Sequence, residues 1–149
     1  MSGLPPNLLE LEITESVVMA DASQVISKLK ELKKLGCLVS IDDFGTGFSS
    51  LSYLKDLPAD SLKIDRSFVT ASTKDRKRAA ITQAIIDLAS RLDMAVIAEG
   101  VETEEQRQLL LAQGCTDLQG FLFSKPCDHQ KTAISWRQAN GLNRLPEPA

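Results

Sequence analysis

The chain has little with which to build a disulfide framework or a soft-metal centre. Its 149 residues include three cysteines, Cys37, Cys115 and Cys127, odd in number and without paired spacing, and a single histidine, His129. These read as reduced thiols of a cytoplasmic protein and give no zinc site. His129 lies just after Pro126 at an expected helix start and reads as exposed rather than catalytic. No apolar run approaches the ~20 residues of a membrane span, and the N-terminus lacks a signal-peptide pattern. A membrane anchor of the parent protein would lie outside this chain. With a net charge of −3 and a pI near 5.2 there is no basic excess, so a nucleic-acid polymer is not an expected partner. An acidic domain that handles an anionic ligand must meet it with metal ions or local cations.

What is present fits one globular domain: 43% hydrophobic and 25% charged residues. In Leu8 to Thr14 alternation sets Leu9, Leu11 and Ile13 against Glu10, Glu12 and Thr14, a strand pattern. Asp21 and Gln24 form a capping box for a helix whose apolar face is Val25, Ile26, Leu29 and Leu32 and which Gly36 ends. A second strand spans Leu38 to Asp42, and a short helix from Leu51 stops before Pro58. Ser61 to Asp65 is a third strand, followed by a charged segment and a long helix bearing Ile81, Ala84, Ile85, Leu88 and Leu92. Met94 to Ala98 is a fourth strand. Thr103 and Gln106 cap a helix that Gly114 ends, and Thr116 to Leu118 is a weak fifth strand. A last helix is expected near Asp128 to Asn140. The domain is expected over residues 1–141, with 142–149 a tail or linker.

Strands alternate with helices at spacings too long for hairpins, so the sheet should be parallel. One side of each strand is apolar; the other carries Glu10 and Glu12, Ser40 and Asp42, Ser61, Lys63 and Asp65, then Glu99. A doubly wound sheet would be apolar on both faces. A barrel interior that turns polar at its C-terminal rim fits better, yet a complete (β/α)8 barrel needs roughly 250 residues. The expected fold class is therefore α/β, the C-terminal part of a TIM-like (β/α)8 barrel with about five parallel strands.

The organising stretch is Ser40-Ile-Asp-Asp-Phe-Gly-Thr-Gly-Phe-Ser49. Two adjacent carboxylates at the end of a buried strand repel each other and lose hydration, so a cation should compensate them. A turn is the plain alternative, because Asp and Gly are common turn residues. The strand-end set Glu12, Asp42, Asp43, Lys63, Asp65, Glu99, Glu102 and Gln119 suits hard, oxygen-seeking Mg2+ or Mn2+. Two such ions sharing a carboxylate are a standard device for phosphodiester hydrolysis. Each residue also has a structural reading. Glu10 or Glu12 could face solvent, Lys63 could pair with Asp65, Glu102 could serve a helix dipole, and Phe44, Phe48 and Phe121 could pack under the rim.

The segments Glu10-Leu-Glu-Ile-Thr-Glu-Ser16, Ile41-Asp-Asp-Phe-Gly-Thr-Gly-Phe-Ser-Ser-Leu51, Leu62-Lys-Ile-Asp65, Ile97-Ala-Glu-Gly-Val-Glu-Thr103 and Leu118-Gln-Gly-Phe121 closely resemble the EAL-domain family, the cyclic di-GMP phosphodiesterases of bacterial signalling. The resemblance implies that Glu12, Asp42 and Asp43 are metal ligands, with Asp42 bridging two Mg2+ or Mn2+ ions. It implies Lys63 beside the attacking water and the phosphate, Glu99 as general base or further metal partner, and Gln119 in the polar network around the water. Glu15 would anchor the Phe44 to Ser50 loop, which in the family couples dimerisation to metal binding, and Asp65 and Glu102 would be supporting or ligand-facing groups. Implied partners are cyclic di-GMP, a second copy, or upstream sensor or GGDEF-type domains.

The family's Glu-Ala-Leu tripeptide, whose glutamate is a metal ligand, does not occur in these 149 residues, and no asparagine stands where the family has a second early-strand ligand. The chain reads as beginning in the loop before the strand of Glu12. The expectation is a parent phosphodiesterase whose isolated 149-residue piece is inactive. The alternative is a non-catalytic cyclic di-GMP-binding or protein-interaction module.

Overall fold

A computed structural model describes residues 3–45, 51–73, 75–128 and Thr132. A 3-10 turn at Pro6–Leu8 leads into β1 (Glu10–Thr14), α1 (Glu15–Ala20), α2 (Ala22–Lys34), β2 (Leu38–Phe44), α3 (Leu51–Leu54), β3 (Ser61–Ile64), α4 (Arg66–Ser72), α5 (Arg76–Arg91), β4 (Ala95–Ala98), α6 (Glu104–Ala112) and β5 (Asp117–Leu118). All strand pairings are parallel and the spatial order is β1-β2-β3-β4-β5. Each strand thus lies beside its predecessor and the winding never reverses, whereas a doubly wound sheet changes direction at a switch point. The expected α/β arc of a (β/α)8 barrel is what forms.

The two faces of the sheet divide as alternation requires. Val39, Ile41, Leu62, Ile64 and Ala98 turn toward the helices and form one core with Val18, Leu29, Val69, Ile85, Ile86, Ala89 and Leu110. Each fully buried Leu, Ile or Val contributes on the order of 1.5–3 kcal/mol, so this layer fixes the sheet's register. The opposite face carries Glu10, Glu12, Ser40, Asp42, Ser61 and Lys63. At the centre of the arc β3 is buried on both sides, Lys63 included.

At the foot of the sheet the Asp60 carboxylate accepts the Val39 N–H at 2.8 Å and two bonds from Lys33 Nζ at 2.5 and 2.7 Å. That one side chain ties α2, β2 and β3 together. Asp21 caps α2 by accepting the Gln24 N–H at 3.0 Å. At α6 Thr103 and Gln106 form the complete reciprocal box. Gly36 and Gly114, with φ of +92° and +89°, end α2 and α6 as expected.

The structure departs from the sequence reading in four places. Two short helices, α1 and α4, follow strands directly where none was expected. The third strand ends at Ile64, so Asp65 is a helix cap instead of a strand residue. The second strand continues to Phe44 through a bulge. Phe121 is 56% exposed rather than packed beneath the rim, while Phe44 is buried. The loop 46–50, with Phe48, the expected last helix beyond Asp128 apart from Thr132, and the tail 142–149 lie outside the described residues.

Candidate active site

Parallel strands bring all their C-terminal ends to one edge, which is where the candidate residues sit. Lys63, near the end of β3, is their centre. Its Nζ lies 2.8 Å from Glu12 Oε1 on β1, 3.6 Å from Asp42 Oδ1 on β2 and 2.7 Å from Glu99 Oε1 just past β4. The Lys63 side chain is 8% exposed, against 51% for Glu12, 23% for Asp42 and 22% for Glu99, so the cation is the inner member and the acids open outward. Burial alone would lower the Lys63 pKa. The hydrogen bonds to Glu12 and Glu99, with the Glu99 and Asp42 charges, outweigh that and hold it above the ordinary lysine value. The sequence reading in which Lys63 neutralises Asp65 is not what forms. Asp65 caps α4, accepting the Ser67 N–H at 2.9 Å, and despite its burial that cap, with the neighbouring Arg66 charge, keeps its carboxyl below the usual range.

A bulge re-aims the Asp42-Asp43 pair. Between the partner pairs Ile41–Leu62 and Phe44–Ile64, β2 has one residue more than β3. Asp43 takes up the extra residue at φ +54°, a left-handed conformation that Asp tolerates better than most residues. Without it, strict alternation from Val39 and Ile41 would place Asp43 on the helix-covered side. With it, Phe44 takes the core position and Asp43 is exposed. The Asp43 N–H also donates to Asp42 Oδ1 at 3.0 Å.

Beyond the bulge, Glu15 is 3% exposed at the start of α1, and its Oε2 accepts the Gly45 N–H at 3.1 Å. Gly45 has φ +93°, and a Cβ there would stand 3.0 Å from the Phe68 ring.

Glu99 and Gln119 are set by backbone pairing past the strand ends. The Glu99 N–H donates to Ile64 O at 3.1 Å, the Gln119 N–H to Ala98 O at 2.9 Å, and the Val101 N–H to Gln119 O at 3.0 Å. Gly100 and Gly120 permit the close approach: a Cβ on Gly100 would overlap Arg66, and one on Gly120 would overlap the Val101 backbone. Beside Gln119 an open groove of about 640 Å³ is lined by Gly120, Phe121, Phe123, Lys125 and Pro126. Glu102 is exposed just before α6, where its N–H donates to Gln106 Oε1 at 2.7 Å. Its carboxylate makes no ion pair with Lys63.

Three carboxylates against one ammonium leave an excess of negative charge, supplied wholly by oxygen donors, which is the chemistry hard divalent cations require. Among the described residues no three Asp, Glu, His or Cys side chains converge on one point as a ready metal cage; the convergence is on Lys63 Nζ. Sequence reasoning did not pair Glu10 with Ser61, whose Oγ donates to Glu10 Oε1 at 2.8 Å one layer below Lys63. Glu10 shares a face with Glu12 at a spacing of two, so the period-two pattern held that signal.

The chain is similar to known proteins over most of its length. A description of the EAL domain matches residues 1–126. The signalling protein YkoW of Bacillus subtilis is 53% identical over 123 residues, and the bifunctional diguanylate cyclase/cyclic di-GMP phosphodiesterase MucR of Pseudomonas aeruginosa is 50% identical over 133. The matches cover 83% and 89% of this chain but only 15% and 19% of those proteins. The MucR phosphodiesterase in complex with c-di-GMP superposes with a TM-score of 0.83 at 48% identity, over 87% of this chain and 52% of that one. The EAL domain of Mycobacterium smegmatis DcpA gives 0.82 at 46% identity, over 97% and 63%. A manganese/c-di-GMP complex of Klebsiella pneumoniae BlrP1 gives 0.79 at 38% identity, over 84% and 32%. The sequential parallel arc, the acids gathered at its C-terminal edge and these matches lead to one conclusion: the chain belongs to the EAL-domain family.

Proposed function

We propose that the protein containing this chain hydrolyses cyclic di-GMP to linear pGpG, with Lys63 and its three carboxylates at the centre of the reaction. The observation that carries this reading is the meeting of Glu12, Asp42 and Glu99 around a buried ammonium at the C-terminal edge of a parallel arc. Its support is that relatives of this site include a cyclic di-GMP phosphodiesterase and chains solved with c-di-GMP.

Glu12, Asp42 and Asp43 are the residues that would hold Mg2+ or Mn2+. Bound there, the cations supply Lewis acidity and screen the charge that builds on the phosphodiester. The remaining roles fall to the chain's own groups. Lys63 stays protonated across the working pH range, so it is a hydrogen-bond donor and fixed charge for phosphate oxygens, and cannot be the base. Glu99 is a carboxylate within reach of the same space and takes the proton from the attacking water. Gln119 orients that water with its amide. Glu15 holds the start of the loop after Asp42 and Asp43 through the Gly45 N–H. The groove beside Gln119 gives a guanine base a place to lie against Phe121. Glu102 helps hold the ligand, and Asp65 supports the site from its cap.

The isolated 149-residue chain is inactive on this reading, because it carries neither a Glu-Ala-Leu glutamate nor the early asparagine ligand. In the parent protein the domain works as a dimer or under upstream sensor or GGDEF-type domains, in the cytoplasm; no helix among the described residues is long and apolar enough to cross a membrane. The test is hydrolysis of cyclic di-GMP with Mn2+ or Mg2+, with the linear product resolved by chromatography. The full-length protein should form pGpG, and its Asp42→Ala variant should not. Full-length protein that binds cyclic di-GMP without cleaving it would replace this reading with the binding-module one. Turnover by the 149-residue chain would overturn its inactivity alone.

A further inference from the structure

The candidate site carries a cation of its own. Glu12 and Asp42, two of the three carboxylates assigned to a divalent ion, turn an oxygen to Lys63 Nζ at 2.8 and 3.6 Å, and Glu99 adds another at 2.7 Å. Among the described residues no three metal-ligating side chains form a ready cage. The ammonium has little freedom to step aside, because Lys63 lies on β3, which is buried on both sides. Glu12 is placed differently. It stands on β1, at the edge of the arc, and its side chain is 51% exposed, more than Asp42 or Glu99. Of the acids on Lys63 it has the most freedom to change partner. A fixed positive charge at the convergence of these oxygens repels a second cation brought to them. A hydrogen bond that the lysine already holds must also be given up before that oxygen can serve an ion.

We propose that Lys63 is a built-in competitor for the divalent cation, and that Glu12 is the arm that leaves it for the ion. While no metal is bound, Lys63 neutralises acids that would otherwise repel one another, so the strand ends stay together. When Glu12 turns to an ion, Lys63 keeps its bond to the more enclosed Glu99. The same lysine that preserves the empty site therefore lowers its affinity for metal and sets the concentration at which it fills. This inference rests on the assignment of Glu12 and Asp42 as metal ligands under the proposed function. It does not depend on which phosphodiester is cleaved.

The test is Mn2+ binding to the metal-free full-length protein, followed by electron paramagnetic resonance of the free ion, with no cyclic di-GMP present. Lys63→Met should bind Mn2+ at least about tenfold more tightly than wild type, the scale of one hydrogen bond to a charged group. Lys63→Gln keeps a neutral donor and should gain affinity as well; it carries the test if Lys63→Met does not fold. Lys33→Met removes the same charge from the partly exposed Lys33–Asp60 pair at the foot of the sheet. There the affinity should stay nearly unchanged, because a distant, solvated charge is screened. On a Glu12→Gln background the gain from Lys63→Met should shrink, which marks Glu12 as the exchanging arm. Folded Lys63→Met and Lys63→Gln proteins that bind Mn2+ no more tightly than wild type overturn the proposal. A gain that persists in full without the Glu12 carboxylate overturns the part given to Glu12. Protein that binds Mn2+ in the expected pattern yet leaves cyclic di-GMP intact would overturn the phosphodiesterase reading alone.

Discussion

Lys63 Nζ and Glu99 Oε1 meet at 2.7 Å from the ends of neighbouring strands, the lysine almost wholly buried and the glutamate partly open to solvent. A buried ammonium gripped by carboxylates keeps its proton, and Glu99 is the partner that grips it from the β4 side.

Replacing Lys63 therefore tests charge more than shape. Lys63→Met keeps much of the side-chain volume but leaves Glu12, Asp42 and Glu99 in mutual repulsion. Cyclic di-GMP hydrolysis by the full-length protein should fall about 10²–10³-fold, as for loss of a preorganised donor. Folding should weaken as well, measured by urea denaturation.

Lys63 also sets a pH dependence with a definite sign. Its folded pKa is raised, so the stability it contributes is complete below the ordinary lysine range and is lost as pH climbs from there through the higher folded value. Thermal melting of the wild type should fall above about pH 10.5, the ordinary lysine range. In Lys63→Met that component of the alkaline fall should be missing.

Asp65 separates a structural role from a ligand-facing one. Asp65→Ala removes the cap of α4 and should cost about 1 kcal/mol, whereas Asp65→Asn keeps an acceptable cap and should cost little. The lowered Asp65 pKa adds an acid-side term, present above the ordinary Asp range and lost as pH falls through the folded value, which Asp65→Asn should abolish. A large loss of turnover in a stable Asp65→Asn variant would show that the carboxylate serves the ligand.

Two glycines give a matched steric comparison. Gly114→Ala meets open space and should cost only the left-handed backbone penalty, about 1–2 kcal/mol. Gly120→Ala drives a methyl into the Val101 backbone and should cost about 3 kcal/mol while moving Gln119. Denaturation midpoints of the two variants decide it.

The strands were legible because period two is a strong signal: Leu9, Leu11 and Ile13 against Glu10 and Glu12, or Leu62 and Ile64 against Ser61 and Lys63. The α6 cap was legible because Thr103 and Gln106 carry their own chemistry. The short helices were not. In α1 only Glu15 and Val18 are buried, and in α4 only Val69 and Ser72, too few positions to print a helical stripe. The bulge was hidden for another reason, because nothing in Asp42-Asp43-Phe44 says that alternation breaks there. As for the site, the residue types told which groups could gather at the rim. That Lys63 takes Glu12 and Glu99 while Asp65 turns to its own helix depends on where β3 ends, which one residue of local geometry decides.

Because each strand pairs with its predecessor, Glu12 and Asp42 stand as two like charges on neighbouring strands, and their counter-ion is Lys63 of the third. Glu99 meets the same lysine from beyond the fourth strand. The β1–β2 pair taken alone is thus electrostatically incomplete, and the middle strand supplies the cohesion that joins the two sides of the arc.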